Sequence, residues 1–109
     1  WVINKIGSAQ LAALAAELRV PVYVVATGDK FVPPGVATVL QLRQGPVAEV
    51  WDQPPHGVTV RNPSFERVPL PLVRAVLSDG GVLDAGLVRK RCLEADRSSA
   101  FARLTGLLV

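Results

Sequence analysis

An alanine- and leucine-rich segment followed directly by an unbroken apolar run most constrains how this chain folds. Leu11, Leu14 and Leu18 recur at helical spacing with alanines between them, which predicts a helix with neighbours on more than one side. This helix has to end before Pro21, because the residue before a proline is disfavoured in a helix. Val22–Ala26 then lacks polar alternation, which is typical of a strand buried on both faces in a parallel sheet. Together the two elements indicate the α/β class.

Further elements predicted along the chain continue this α/β pattern. The predicted strands are a short one at Val39–Leu42, one at Val58–Val60 and an extended piece at Gly81–Leu83. One predicted helix begins at Pro69, has Leu70, Val73, Val76 and Leu77 on one face, and ends at Asp79–Gly81. A second helix begins near Asp84 with the apolar stripe Leu87, Val88, Cys92 and Leu93, and a short third helix contains Phe101, Leu104, Leu107 and Leu108.

Length and composition set the class of protein. The 109 residues suffice for one domain, and half of them are apolar while 19% are charged, which favours a packed core over disorder. No apolar run reaches the roughly 18 residues that span a bilayer, so we expect a soluble protein without a membrane partner. The single cysteine excludes an internal disulfide, which fits a reducing compartment and a cytoplasmic location. The net charge of +3 comes from cations scattered among acids, so nucleic acid is not an expected partner.

The chain contains no methionine and begins with Trp1. Initiator methionine is normally removed only before a small residue, so we expect residues 1–109 to be a piece of a longer protein. Omission of methionine and a few further residues is the alternative.

Asn4-Lys5-Ile6-Gly7 lies directly ahead of the first predicted helix. The first turn of a helix has unpaired N–H groups and a partial positive charge, so it can hold a phosphate. Asn4 can donate from its amide, Lys5 adds a full charge, and Gly7 allows close approach of the backbone. A helix cap without a ligand is the alternative interpretation.

Lys30 is a second candidate contact for an anion. It lies in the segment Thr27–Phe31, which follows the carboxyl end of the predicted strand at Val22–Ala26. Ligands bind at the carboxyl ends of strands in open α/β sheets, so a lysine here suits a phosphorylated ligand.

Several segments, taken in order, resemble the carboxyl-terminal domain of a superfamily that includes the alpha, beta and delta subunits of translation initiation factor 2B, ribose-1,5-bisphosphate isomerase and methylthioribose-1-phosphate isomerase. They are Asn4–Gly7 with its Ala/Leu helix, Val20–Val24, Lys30-Phe31, Asn62–Phe65 and Gly80–Leu83. The resemblance implies a Rossmann-like layered fold, a mostly parallel sheet flanked by helices, formed by residues 1–109 as part of one domain with a helical tail from about residue 84. It also implies substrate contacts at Asn4, Lys5, Gly7 and Lys30, without a cofactor or a metal.

The branches of this superfamily differ at residues that the chain contains. Asp29-Lys30-Phe31 resembles the Tyr-Lys-Phe of the initiation-factor and ribose-bisphosphate branches. Methylthioribose-phosphate isomerases tend to lack that lysine, so the methylthioribose-phosphate branch is the third choice among the three. The segment Asn62–Pro71 has Glu66 where the family has aspartate and lacks a second family glutamate. The family's catalytic cysteine and aspartate lie ahead of the Asn-Lys motif, so no catalytic residue is expected in this chain.

The remaining reactive residues have plain structural interpretations. Cys92 is predicted to pack in the core, His56 has no second metal ligand near it in sequence, and Arg89–Arg91 is predicted to be a solvated helix face. Trp51 and the apolar segment Leu104–Val109 are candidate contacts with a partner subunit.

Two main functions remain open. The leading hypothesis is a domain that binds a phosphorylated sugar or a nucleotide-like small molecule, in a relative of ribose-1,5-bisphosphate isomerase, an aldose–ketose isomerase. The alternative is a non-catalytic regulatory or assembly subunit of the initiation-factor-2B type, either a homo-oligomer or paired with related subunits. A diverged relative with neither activity is a third possibility.

Overall fold

The computed structural model describes residues 1–35 and 42–95. Its strands are β1 (Val2–Lys5), β2 (Tyr23–Val25), β3 (Phe65–Val68), β4 (Ala75–Ser78) and β5 (Gly81–Leu83), and its helices are α1 (Ser8–Glu17) and α2 (Ala85–Ala95). Single 3-10 turns lie at Gly28–Lys30, Val47–Glu49 and Leu70–Leu72. Most of the predicted strand at Val39–Leu42, the predicted helix from Phe101 and the segment Leu104–Val109 lie outside the described residues.

The described strands form two sheets. β1 and β3 are an antiparallel ribbon in which Lys5 lies opposite Phe65. The second sheet has the order β2-β4-β5, with β2 parallel to β4 and β4 antiparallel to β5. The α/β class is confirmed, but a mostly parallel sheet is wrong for this part of the chain, because the short connection Asp79-Gly80 turns β4 directly back into β5.

One hydrophobic core joins both sheets to the helices. Its buried side chains are Ala12, Val68, Leu70, Val73, Val76, Leu83 and Val88. α1 packs against β3, and α2 packs against β5. The core therefore fixes the end of β1, where α1 begins, and the end of β4, where the chain turns into β5.

Helix α1 contacts this core through alanine rather than leucine. Ala12 is buried, whereas Leu11, Leu14 and Leu18 are 67%, 58% and 64% exposed. The prediction of neighbours on more than one side of α1 is therefore wrong within the described residues. Both faces of α1 are apolar, so helical spacing does not decide between them, and the small face lets the helix approach β3 closely.

The predicted helix from Pro69 is wrong. Leu70–Leu72 is a 3-10 turn, and Ala75–Ser78 is the central strand β4. An apolar run of this length is ambiguous between a helix and a buried strand. Pairing with β2 on one side and β5 on the other decides for the strand, and it leaves Val76 buried.

The predicted strand at Val58–Val60 is also wrong, since those residues are irregular and the nearest strand is β3. β2 lies within the predicted Val22–Ala26 but at the edge of its sheet. Tyr23 is 51% and Val25 82% exposed, so burial on both faces is not observed.

Helix α2 begins directly after Asp84, as predicted. The Asp84 carboxylate accepts a 2.8 Å hydrogen bond from the backbone N–H of Leu87, which caps the helix. Val88 is buried and Cys92 packs against the core, whereas Leu93 is exposed. Only half of the predicted apolar stripe therefore faces the core.

Candidate functional site

The junction between β1 and α1 carries the Asn-Lys motif. Asn4 and Lys5 are the exposed last residues of β1, and Gly7 precedes α1 with a φ of 98°. A residue with a Cβ is strained at that φ, so the turn favours glycine. The Lys5 ammonium lies 4.9 Å from the centroid of the Phe65 ring, a cation–π contact that holds the lysine along the ribbon.

Glu66 caps the amino-terminal end of α1. Its carboxylate accepts a 2.9 Å hydrogen bond from the backbone N–H of Ala9, and a negative charge at this end of a helix is stabilising. The Ser8 hydroxyl donates to the carbonyl of Lys5 at 2.7 Å. One of the first-turn N–H groups that could hold a phosphate is thus occupied by a side chain of the chain itself.

Lys30 lies in the 3-10 turn that follows β2. Its ammonium is 3.1 Å from the Asp29 carboxylate, with side chains 68% and 67% exposed. The Thr27 hydroxyl donates to the same carboxylate. The hydrogen bond from Thr27, followed by the contact with Lys30, lowers the pKa of the Asp29 carboxyl. An exposed ion pair contributes little free energy, so Lys30 can exchange Asp29 for another anion.

The predicted ligand residues lie in two groups. Asn4, Lys5 and Gly7 are on the β1-β3 ribbon, and Lys30 is at the edge of the β2-β4-β5 sheet. Among residues 1–35 and 42–95, no hydrogen bond or ion pair joins one group to the other. Lys5 and Lys30 share one feature: each lies exposed at or just beyond the carboxyl end of a strand.

An open cleft of about 310 Å³ lies at the carboxyl ends of β2 and β4. Gly28, Phe31, Asp79 and Arg91 are among its lining residues. The Arg91 guanidinium lies so close to Gly80 that a Cβ there would be 2.7 Å from its terminal nitrogen. Arg91 is exposed, as predicted for a solvated helix face, but it also borders this cleft.

Asp79 lies beside the turn that follows β2, since a Cβ added to Gly28 would be 3.2 Å from its carboxylate. It accepts a 2.7 Å hydrogen bond from the Ser78 hydroxyl. This bond, together with the backbone N–H groups of Gly28 and Gly80, lowers the pKa of the Asp79 carboxyl. Neither Glu66 nor Asp79 is predicted as a site residue from the sequence. An acid just beyond a strand end and ahead of Gly80-Gly81 is the signal for Asp79, and it is hidden by the wrong helix prediction at Pro69.

The remaining candidates lie away from these groups. His56 is exposed in a loop, Trp51 is 49% exposed, and Cys92 is half-buried against the core. In the part of the chain that the structure describes, no three His, Cys, Asp or Glu side chains converge on a point where a metal could bind. None of the helices described is long and apolar enough to cross a membrane.

Two of the curated relatives that match this chain illustrate the similarity. It is 31% identical over 84 residues to the ribose 1,5-bisphosphate isomerase of Methanocaldococcus jannaschii, covering 74% of this chain and 27% of that protein. It is 40% identical over 88 residues to a methylthioribose-1-phosphate isomerase of Anaeromyxobacter sp. strain Fw109-5, covering 75% of this chain and 26% of that protein. The chain thus spans about a quarter of the length of these relatives.

A solved structure and a family model agree with this similarity. The structure of the translation initiation factor eIF-2B delta subunit from A. fulgidus matches with a TM-score of 0.69 and 28% identity, over 84% of this chain and 29% of that chain. The model of the Initiation factor 2 subunit family matches residues 1–85, which include Lys5, Lys30 and strands β1 to β5. The chain therefore belongs to the Initiation factor 2 subunit family.

Proposed function

We propose that this chain is a sugar-phosphate-binding domain that resembles part of ribose-1,5-bisphosphate isomerase. The observation that carries the proposal is the position of Lys5 and Lys30, each exposed at the carboxyl end of a strand and each held by a weak neighbour. Lys5 lies over the Phe65 ring, and Lys30 pairs with the exposed Asp29. Both ammonium groups can therefore turn to a phosphate at little cost in free energy.

Asn4 and Gly7 contact the same phosphate as Lys5. The amide of Asn4 donates a neutral hydrogen bond, and Gly7 lets the backbone come close to a phosphate oxygen. Lys30 serves a second anionic group of the ligand, which is the reason to prefer a bisphosphate over a monophosphate. The isomerisation moves a proton between adjacent sugar carbons and requires an acid–base pair, which by resemblance is supplied from outside residues 1–109.

The proposed domain is a Rossmann-like layer that this chain forms only in part. Leu11, Leu14 and Leu18 present an exposed apolar stripe, and β2 is an edge strand with Val25 exposed. Apolar surface of this kind is normally covered by further chain or by a partner. Further strands beside β2, or a related subunit, are the proposed cover.

The alternative function is a non-catalytic assembly or regulatory subunit. The similarity to the eIF-2B delta subunit structure favours it, as does the exposure of Trp51 next to other apolar residues such as Val50. Such a subunit uses the apolar surface to pair with itself or with sister subunits. Light scattering at high protein concentration tests this alternative, since an assembly subunit is expected as a dimer or larger species and a monomer contradicts it.

Thermal unfolding with added ligands tests the sugar-phosphate proposal. Ribose 1,5-bisphosphate at 100 times its Kd should stabilise the folded chain by about 2.7 kcal/mol, and inorganic phosphate should stabilise it less. Methylthioribose 1-phosphate is the third ligand, because it carries one phosphate and no group for Lys30. No stabilisation by millimolar ribose 1,5-bisphosphate contradicts the proposal, and equal stabilisation by the monophosphate favours the methylthioribose branch.

A further inference from the structure

The loops that follow β2 and β4 meet at the same edge of their sheet. β2 and β4 are parallel, with Val25 opposite Leu77. The ladder continues one step further, since the backbone N–H of Ala26 donates to the carbonyl of Leu77 at 3.0 Å. Carboxyl ends of parallel neighbours lie side by side, so the turn that carries Lys30 begins next to Ser78 and Asp79.

Gly28 and Asp79 make a contact that other residue types would disturb. A Cβ built on Gly28 lies 3.2 Å from one carboxylate oxygen of Asp79 and 3.3 Å from the other. These separations are tighter than ordinary van der Waals contact, so an alanine at position 28 requires the turn or the Asp79 carboxylate to shift by a few tenths of an ångström. Glycine at this position leaves room for the carboxylate beside the turn.

We propose that Asp79 is a positioning residue, which contacts the backbone at Gly28 and thereby fixes where the backbone of the turn presents the Lys30 side chain at the sheet edge. The role given to Lys30 as a ligand contact rests on the proposed function. Asp79 itself does not touch the ligand. It acts through the turn Gly28–Lys30, whose second residue, Asp29, is also tied at its carboxylate by Thr27.

The same carboxylate is anchored from its own side of the cleft. The Ser78 hydroxyl donates to it at 2.7 Å, and the backbone N–H of Gly80 contributes to keeping it ionised. A carboxylate that receives several donors has a defined position, and hydrogen bonds to a charged group are worth more than neutral ones. The carboxylate at position 79 is therefore held by Ser78 within contact distance of Gly28.

Two measurements test this inference, and the first needs no ligand. Backbone amide signals of the full chain are compared between wild type and Asp79→Asn, with Asp52→Asn as the control for loss of an exposed carboxylate. The expected shifts are concentrated at residues 27–31 and 78–80, and absent in the control. Shifts spread over the whole chain, or no shifts in the turn, overturn the proposal.

The second measurement is a double-mutant cycle on the Kd for ribose 1,5-bisphosphate. Asp79→Asn should weaken binding about tenfold when Lys30 is present, which is the scale of one charged hydrogen bond, and less than twofold in a Lys30→Ala background. Gly28→Ala, which disturbs the same contact from the other loop, should reproduce this pattern. An equal loss in both backgrounds shows a general effect on folding and overturns the proposal.

The two proposals fail in different ways. Absence of ribose 1,5-bisphosphate binding to wild type contradicts the proposed function, and the amide shifts then decide the role of Asp79 alone. Binding that Asp79→Asn and Gly28→Ala leave unchanged supports the proposed function and overturns the positioning role.

Discussion

At the scale of single residues, Glu66 determines how α1 begins. Its carboxylate accepts the N–H of Ala9 across the ribbon, at the position where the resembling family has an aspartate. A side chain so placed both stabilises the helix and occupies a donor that a phosphate could use. Glu66 therefore stabilises α1 and also competes with a phosphate for the N–H of Ala9.

Removing this cap should destabilise the chain. Glu66→Ala is expected to lower the free energy of unfolding by about 1 kcal/mol, as measured by urea unfolding. Glu17→Ala, at the carboxyl end of the same helix, is the matched control and should not lower it, because a negative charge is unfavourable there. Equal losses for the two variants contradict the capping role.

The Asp29 carboxyl gives a prediction about pH. Because Thr27 and Lys30 lower its pKa, Asp29 adds stability above its unfolded pKa and loses that contribution as the pH falls through its folded pKa. Thr27→Val removes the largest cause, so an NMR titration should show the Asp29 pKa closer to its ordinary value. Lys30→Ala, which removes a second hydrogen bond and a nearby positive charge, should also raise this pKa, and a pKa that both variants leave unchanged contradicts the assignment of causes.

At the scale of elements, α1 shows how two apolar faces can be told apart only by packing. The alanine face contacts the core through Ala12, and the leucine face, with Leu11 and Leu14, is exposed. Helical periodicity predicts that the leucine face is buried. The observed packing predicts instead that substitutions on the alanine face lower the stability and that substitutions on the leucine face change it little.

Ala12→Leu should lower the free energy of unfolding by about 1–3 kcal/mol, because the added side chain overfills a close contact. Leu14→Gln should change it by less than about 0.5 kcal/mol, as at other exposed positions. Both values follow from chemical denaturation of the 109-residue chain. A larger loss for Leu14→Gln than for Ala12→Leu shows that the leucine face is packed.

The sequence predicts those elements that local signals define. Pro21 and the Ala/Leu spacing locate α1 and the start of β2, and Asp84 locates the start of α2. β4 is not predictable in this way, since Leu70, Val73 and Val76 fit a helical stripe and only pairing with β2 and β5 makes them a strand.

The candidate site shows the same division. Asn4, Lys5 and Lys30 stand out from the sequence because they flank predicted elements, and their role in binding stays a prediction. Glu66 and Asp79 act across strands on residues far away in sequence, on Ala9 and Gly28. No spacing rule reveals such contacts, since they depend on which strands become neighbours.

At the scale of the whole molecule, the exposed apolar surface and the greater length of the relatives both concern what covers this surface. The chain spans about a quarter of the curated relatives that it matches, and Leu11, Leu18 and Val25 are exposed. Under the proposed function, Asn4, Lys5, Gly7 and Lys30 supply the phosphate contacts, and the exposed apolar residues face further chain or a partner. Binding of a sugar phosphate by the chain itself can be measured directly.

Titration calorimetry with ribose 1,5-bisphosphate tests that central claim. Wild type should bind one ligand per chain, and Lys5→Ala and Lys30→Ala should each weaken the Kd about tenfold, since each removes a charged contact. Lys90→Ala should leave the Kd unchanged, because Lys90 lies on α2 and is not among the residues that line the cleft. Binding that is absent in wild type, or that falls equally for all three lysines, contradicts the account.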